Sequence, residues 1–239
     1  MIQIKGVTKS YNKTSKAVDD LTLDIVQGEI FGFLGPNGAG KSTTIKMITG
    51  ITGADSGTIK INGFDICSEP LKAKAQFGYV PDNPDIFLNF TGLEYLNFMA
   101  DTFEIGAMQR HERISSLAGR FSMSDTLGDK IKNYSHGMRQ KVIVIGALVH
   151  DPENLILDEP LTGLDPEAAH ALKLLMRERV SRNKTVFFST HVLEVAEKLC
   201  DRVGIINKGK MLFCGTHGEL KEKIDRDASL ENLFLELVK

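Results

Sequence analysis

No stretch of this 239-residue sequence is apolar for long enough to cross a bilayer. The longest apolar run, residues 142–149, falls far short of the ~20 residues that a spanning helix needs. The opening "MIQIKGVTKSY" alternates like a strand and lacks the apolar h-region of a signal peptide. An excess of one charge is missing too. With 31 acidic against 29 basic residues the net charge is −2, so no strong field recruits nucleic acid or an anionic membrane. Cysteine is scarce: Cys67, Cys200 and Cys214 are an odd number without metal-ligand or redox spacing, which reads as free buried thiols in a reducing cytosol. Internal repeats and low-complexity linkers are absent as well. These absences leave a soluble, cytoplasmic, α/β-sized chain whose 42% hydrophobic content supplies an ordinary core.

Patterning then divides the chain. In the first sixty-odd residues Leu21, Leu23 and Ile25 alternate, and Ile59 and Ile61 share a face before an Asn62-Gly63 turn. Between them "EIFGFLG" has the compact apolar character of a strand buried on both faces. A glycine-rich segment follows and gives way to "KSTTIKMITG", where Ile45 and Ile48 share a helical face and Gly50 is a stop signal. From about residue 84 to 148 the pattern is helical, with "GLEYLNFMADTF" and "RHERISSLAGRF" as candidate helices. Strands and helices alternate beyond it: "NLILDEP", a helix opening at Pro166, "KTVFFST", "LEVAEKLC", and a hairpin turning at Lys208-Gly209. The implied architecture is a mostly parallel α/β core carrying a helical insert.

Residues 35–43 read "GPNGAGKST" and fit the phosphate-loop pattern. Gly35, Gly38 and Gly40, with Pro36, Asn37 and Ala39 between them, let backbone N–H groups close around phosphate oxygens. The helix that starts there aims its positive end at the anion. Lys41 adds a point charge at the β/γ phosphates, Ser42 offers a hydroxyl to Mg²⁺, and Thr43 completes the motif. "NLILDEP" ends a buried strand in a carboxylate, which places Asp158 at the ligand-binding edge of a parallel sheet to hold Mg²⁺. Glu159 beside it suits the orientation and deprotonation of an attacking water. His191 tips another strand in "FFSTH", where it would face the γ-phosphate. Residues 134–149, "YSHGMRQKVIVIGALV", start small and polar and turn apolar, giving a buried helix with an open N-terminal mouth.

Taken in order, the phosphate loop, "LILDEP", "LTGLD" and "STH" resemble an ABC-type ATPase over nearly the whole chain. The resemblance implies an α/β P-loop NTPase (RecA-like) core with a mostly parallel sheet, an N-terminal antiparallel β-subdomain and an inserted α-helical subdomain. Residues 1–83 and 151–220 would form the core lobe, 84–150 the helical lobe, and 221–239 a C-terminal helix. Residues 134–138 stand where the family has its signature motif, so that Ser135 and Gly137 would grip the γ-phosphate of ATP bound to a second subunit; His136 and Met138 depart from the usual pattern. Tyr11 matches the aromatic that stacks on adenine. Asp165 is either the residue signalling across the dimer or an N-cap before Pro166. Asp82 stands where the family commonly has a glutamine that senses Mg²⁺, and a turn aspartate is an equal reading.

The implied activity is ATP hydrolysis driving a transporter, with ATP and Mg²⁺ as ligands and a homo- or heterodimer of nucleotide-binding subunits. Separate transmembrane permease subunits would hold the chain at the inner face of the cell membrane. Their contact surface is expected between residues 82 and 96, where Ile86, Phe87, Leu88 and Phe90 crowd together. The tail "SLENLFLELVK" resembles that of drug-resistance and ABC-2 exporters and favours export. Two alternatives stand beside this. One is a non-transport ABC ATPase, disfavoured because only 94 positions, with no heptad run, separate Ser135 from Lys41. The other is a regulatory subunit with little turnover, to which His136, Met138 and Asp82 lend weight.

Overall fold

Alternation of apolar and polar side chains builds the first layer. Strand β1 (Ile2–Ser10) buries Ile2, Ile4 and Val7 and pairs antiparallel with β2 (Lys16–Ile25) and β4 (Ser56–Ile61). Asn62 and Gly63 both take positive φ and turn the chain into the short β5 (Phe64–Asp65). The four-stranded sheet runs β2-β1-β4-β5. The computed structural model describes residues 1–12, 15–224 and 234.

The second sheet has six strands in the order β10-β9-β3-β8-β7-β6. They are β3 (Ile30–Leu34), β6 (Phe77–Val80), β7 (Asn154–Asp158), β8 (Thr185–Thr190), β9 (Arg202–Asn207) and β10 (Lys210–Gly215). All their pairings are parallel except the β9–β10 hairpin, which turns at Lys208-Gly209. Strands β3, β7 and β8 are buried along their whole length, as parallel strands covered on both faces are. Their period of two sorts side chains between two cores. Phe31, Phe33, Ile156 and Phe187 face the antiparallel sheet and α1 (Lys41–Ile48). Leu34, Leu155, Leu157 and Phe188 face the other way, toward α6 (Pro166–Ser181) and α7 (Leu193–Leu199). A short α2 (Pro70–Lys74) precedes β6, and α8 (His217–Ile224) follows β10.

Between β6 and β7 lie α3 (Gly92–Thr102), α4 (Ala107–Arg120) and α5 (His136–Leu148). Leu96, Ile114, Phe121, Val142 and Ile145 join the same core as Leu155 and Leu157, so the helical lobe is seated on the sheet through α5. A capping box opens α3: the Thr91 hydroxyl accepts from Glu94 N at 3.1 Å while Thr91 N donates to the Glu94 carboxylate at 2.7 Å.

Several details differ from the pattern-based reading. Cys200 is buried, but Cys67 and Cys214 are exposed, because Cys67 lies in the turn between β5 and α2 and Cys214 on the edge strand β10. Helix α4 starts at Ala107 rather than near Arg110, since Ala107, Met108 and Gln109 are strong helix formers. Strand β6 gives too short an apolar run to announce itself before Pro81. Of the helix expected over 221–239, residues 225–233 and 235–239 lie outside the described residues; the N-terminal part continues α8.

Thr91→Ala removes one half of the capping box and should destabilise the protein by about 1 kcal/mol. A thermal melt should register this as a fall of roughly 2–4 °C.

Candidate functional site

Strand β3 delivers the chain at the sheet edge into the loop 35–40, which turns back as α1. Gly40 caps the helix with φ 111°, and a Cβ there would lie 2.5 Å from the Ala17 carbonyl oxygen. Only glycine can hold this corner. Lys41, the first residue of α1, is nearly buried; its ammonium donates to Gly35 O at 2.7 Å and Pro36 O at 3.4 Å. The same Nζ is 3.5 Å from Glu159 Oε1. A cleft of about 210 Å³ opens between the loop, the first turn of α1, Asp82 and Glu159. Pro36, Asn37, Gly38, Gly40, Ser42 and Thr43 line it, while Ala39 is buried beneath.

Asp158 ends β7 with 2% exposure, beside Ser189 of β8 in register. Ser189 Oγ donates to Asp158 Oδ1 at 2.6 Å and accepts from Glu159 N at 3.0 Å. Burial pushes the Asp158 carboxyl above its ordinary range; hydroxyl bonds from Ser189 and Ser42 oppose this, and the charges of Asp82 and Glu159 add to it. Glu159 is left-handed at φ 47°, a conformation costing a non-glycine residue ~1–3 kcal/mol. That backbone turns its side chain over the cleft, where Oε2 accepts from His191 Nδ1 at 3.0 Å and Oε1 faces Lys41. His191 is half exposed and sits with Glu159 on a second, smaller hollow, outside the lining of the phosphate-loop cleft.

The N-terminus of α5 is capped by Ser135, whose hydroxyl accepts from Met138 N at 3.2 Å. Gly137 lies against the loop 160–165: a Cβ on it would come 3.0 Å from Gly163 O. Gly163 in turn takes φ 76°, and an added Cβ would fall 2.3 Å from the His136 ring. Asp165 caps α6 by accepting from Ala168 N at 2.8 Å and pairs with Lys141 of α5 at 2.8 Å. The Lys141 ammonium, then the Ala168 amide, hold its carboxyl below the usual range.

The structure thus brings Lys41, Ser42, Thr43, Asp82, Asp158, Glu159 and His191 together at the C-terminal ends of four neighbouring parallel strands, β3, β8, β7 and β6. Ser135 and Gly137 stand apart at the mouth of α5 on the helical lobe, and Tyr11 is 63% exposed just past β1, beyond the cleft lining. Pattern reading missed Ser189 and Lys141. A lone polar residue inside the buried run "TVFFST" was the available signal for the first.

A phosphate loop at a parallel-sheet switch, with a strand-end carboxylate opposite, defines a P-loop NTPase. Residues 18–162 match the ABC transporter family. The linearmycin resistance ATP-binding protein LnrL of Bacillus subtilis is 35% identical over 97% of this chain and 74% of its own length. The Nod factor export ATP-binding protein I of Rhizobium leguminosarum is 37% identical over 93% of this chain and 72% of its own. The solved structure of an ATP-binding subunit of an ABC transporter superposes with a TM-score of 0.95 at 33% identity, covering all of both chains. The chain belongs to this family: it is the ATP-binding, ATP-hydrolysing subunit of an ABC transporter.

Because burial raises the Asp158 carboxyl above its unfolded value near 3.8, the charged form weakens the fold as pH rises through that window. Asp158→Asn should therefore raise the melting temperature at neutral pH, with the gain vanishing below about pH 3.8, while MgATP turnover is lost. A melt at neutral pH no higher than that of the parent would contradict this.

Proposed function

We propose that this chain energises an exporter by closing head to tail on a second nucleotide-binding subunit around ATP, each phosphate loop facing the partner's Ser135. The observation that carries the reading is the position of Lys41, held between the Gly35 carbonyl and the Glu159 carboxylate at the floor of the cleft. A triphosphate entering there competes for the ammonium and frees Glu159 to orient water and take its proton. Nδ1 of His191 is engaged by Glu159, which leaves Nε2 for the γ-phosphate. Ser135 and Gly137 at the open N-terminus of α5 offer backbone N–H groups and a hydroxyl to the same phosphate from across the dimer. The exposed ring of Tyr11 is free to stack on adenine.

The donor set fits Mg²⁺. The Ser42 hydroxyl and the Asp158 and Asp82 carboxylates are hard oxygen ligands, and Mg²⁺ takes one or two carboxylates together with substrate phosphates. Ser42, bonded to Asp158, and Asp158 itself would hold the ion, with Asp82 at the rim of the cleft. The ion would supply neutralisation of the phosphate oxygens.

Among the described residues no helix is long and apolar enough to cross a membrane, so separate permease subunits would hold the chain at the inner face of the membrane. A groove of about 500 Å³ between the lobes supports this; Ile86, Phe87, Tyr95, Met99 and Phe103 are part of its wall. The Phe87 ring packs at a tilt against Phe90, Tyr95 and Phe98, yet Phe87, Phe90 and Phe98 all remain exposed. That is a surface suited to a permease helix. Export agrees with the names of the resistance and export relatives.

Glu159→Gln should lower turnover by roughly 10²–10⁴-fold and yield an ATP-dependent dimer on size-exclusion chromatography; elution as monomer only, with ATP and Mg²⁺ present, would refute the mechanism. Phe87→Asp should leave ATP binding intact and abolish co-purification of the membrane subunit in mild detergent.

A further inference from the structure

We propose that Ser189 is a positioning residue for both acids of the ATPase site: its single hydroxyl sets the orientation of the Asp158 carboxylate and of the Glu159 backbone. The inference rests on the assignment of Asp158 to the metal and Glu159 to the water. Ser189 is fully buried and directly opposite Asp158 in the β7–β8 register. A hydroxyl has one proton and two lone pairs. Here the amide of Glu159 occupies a lone pair at 3.0 Å, and an N–H takes no proton, so the hydroxyl proton goes to Asp158 Oδ1 at 2.6 Å. That distance is in the range of a charge-assisted O–H···O⁻ bond. The rotor is locked by two partners of opposite kind.

Three other buried hydroxyls bond to backbone groups instead. Thr44, Thr49 and Thr185 donate to the carbonyls of Gly40, Ile45 and Val26, and Thr185 also accepts from Gly28 N at 3.3 Å, so their partners are main-chain groups. Thr185 lies on the same strand as Ser189, at its far end. On this strand Ser189, at the edge that carries the site, turns its hydroxyl to a carboxylate, while Thr185 and Thr190 bond to backbone groups. Ser189 thereby ties Asp158 and Glu159 to the strand that ends beside His191. One oxygen of Asp158 is occupied, which restricts how the carboxylate can present itself to a cation, and the Glu159 amide is anchored just where the backbone is left-handed.

The test measures binding of Mn²⁺ in the presence of adenylyl imidodiphosphate by electron paramagnetic resonance, alongside metal-free nucleotide affinity and steady-state turnover. Removing such an outer hydrogen bond typically costs 10–100-fold in metal affinity or activity. Ser189→Ala should therefore weaken Mn²⁺ and reduce kcat by roughly that factor, leaving metal-free nucleotide affinity unchanged. Should the alanine variant fail to fold, Ser189→Cys keeps the volume with a poor donor and should shift the same two quantities in the same direction. Parental Mn²⁺ affinity and kcat in the folded variant would overturn the proposal. Asp158→Asn separates the two levels: unchanged Mn²⁺ affinity there removes the metal assignment and this proposal with it. A shift there without one at Ser189 removes the Ser189 role alone.

Discussion

A carboxylate withdrawn from water governs this site. Asp158 ends a strand with no exposed residue, and its ionised form is supported by two hydroxyls rather than by a close cation of the chain. Asp82 and Glu159 add negative charge to the same cleft, against which Lys41 is the one cation of its lining among the described residues. Counting only the described side chains, the cleft is anionic on balance. That balance supports the proposed reading, in which a polyphosphate would arrive with a divalent cation that brings the missing charge with it.

The fold delivers these groups by register. Strands β3, β7 and β8 are neighbours in the sheet although far apart in sequence, and parallel pairing aligns their C-terminal ends. The phosphate loop, the two acids and the histidine each follow one of those ends. Full burial of the strands removes freedom from the platform, so the strained Glu159 backbone rests on a rigid support.

Much of this was legible in the sequence, since the motifs are local. The glycine spacing of 35–43, the apolar strand ending in Asp158-Glu159, and the alternation in β2 and β4 each depend on near neighbours along the chain. What escaped was relational. The pairing of Ser189 with Asp158 depends on a strand register that no local pattern encodes, and a slip of one residue would point the hydroxyl away. The Lys141–Asp165 pair joins two helices from different lobes. The exposure of Cys67 and Cys214 follows from a turn and an edge strand that composition does not reveal. The short β6 was lost because four residues carry too little periodicity.

Asp165 spends one oxygen on the start of α6 and the other on Lys141, which stands on the helix that Ser135 caps. His136 and Gly137 press on Gly163 in the same loop. The segment immediately downstream of Glu159 is thus geared to the mouth of α5 within one molecule. A change in the packing of residues 160–165 is therefore also a change in what surrounds the residues that open α5.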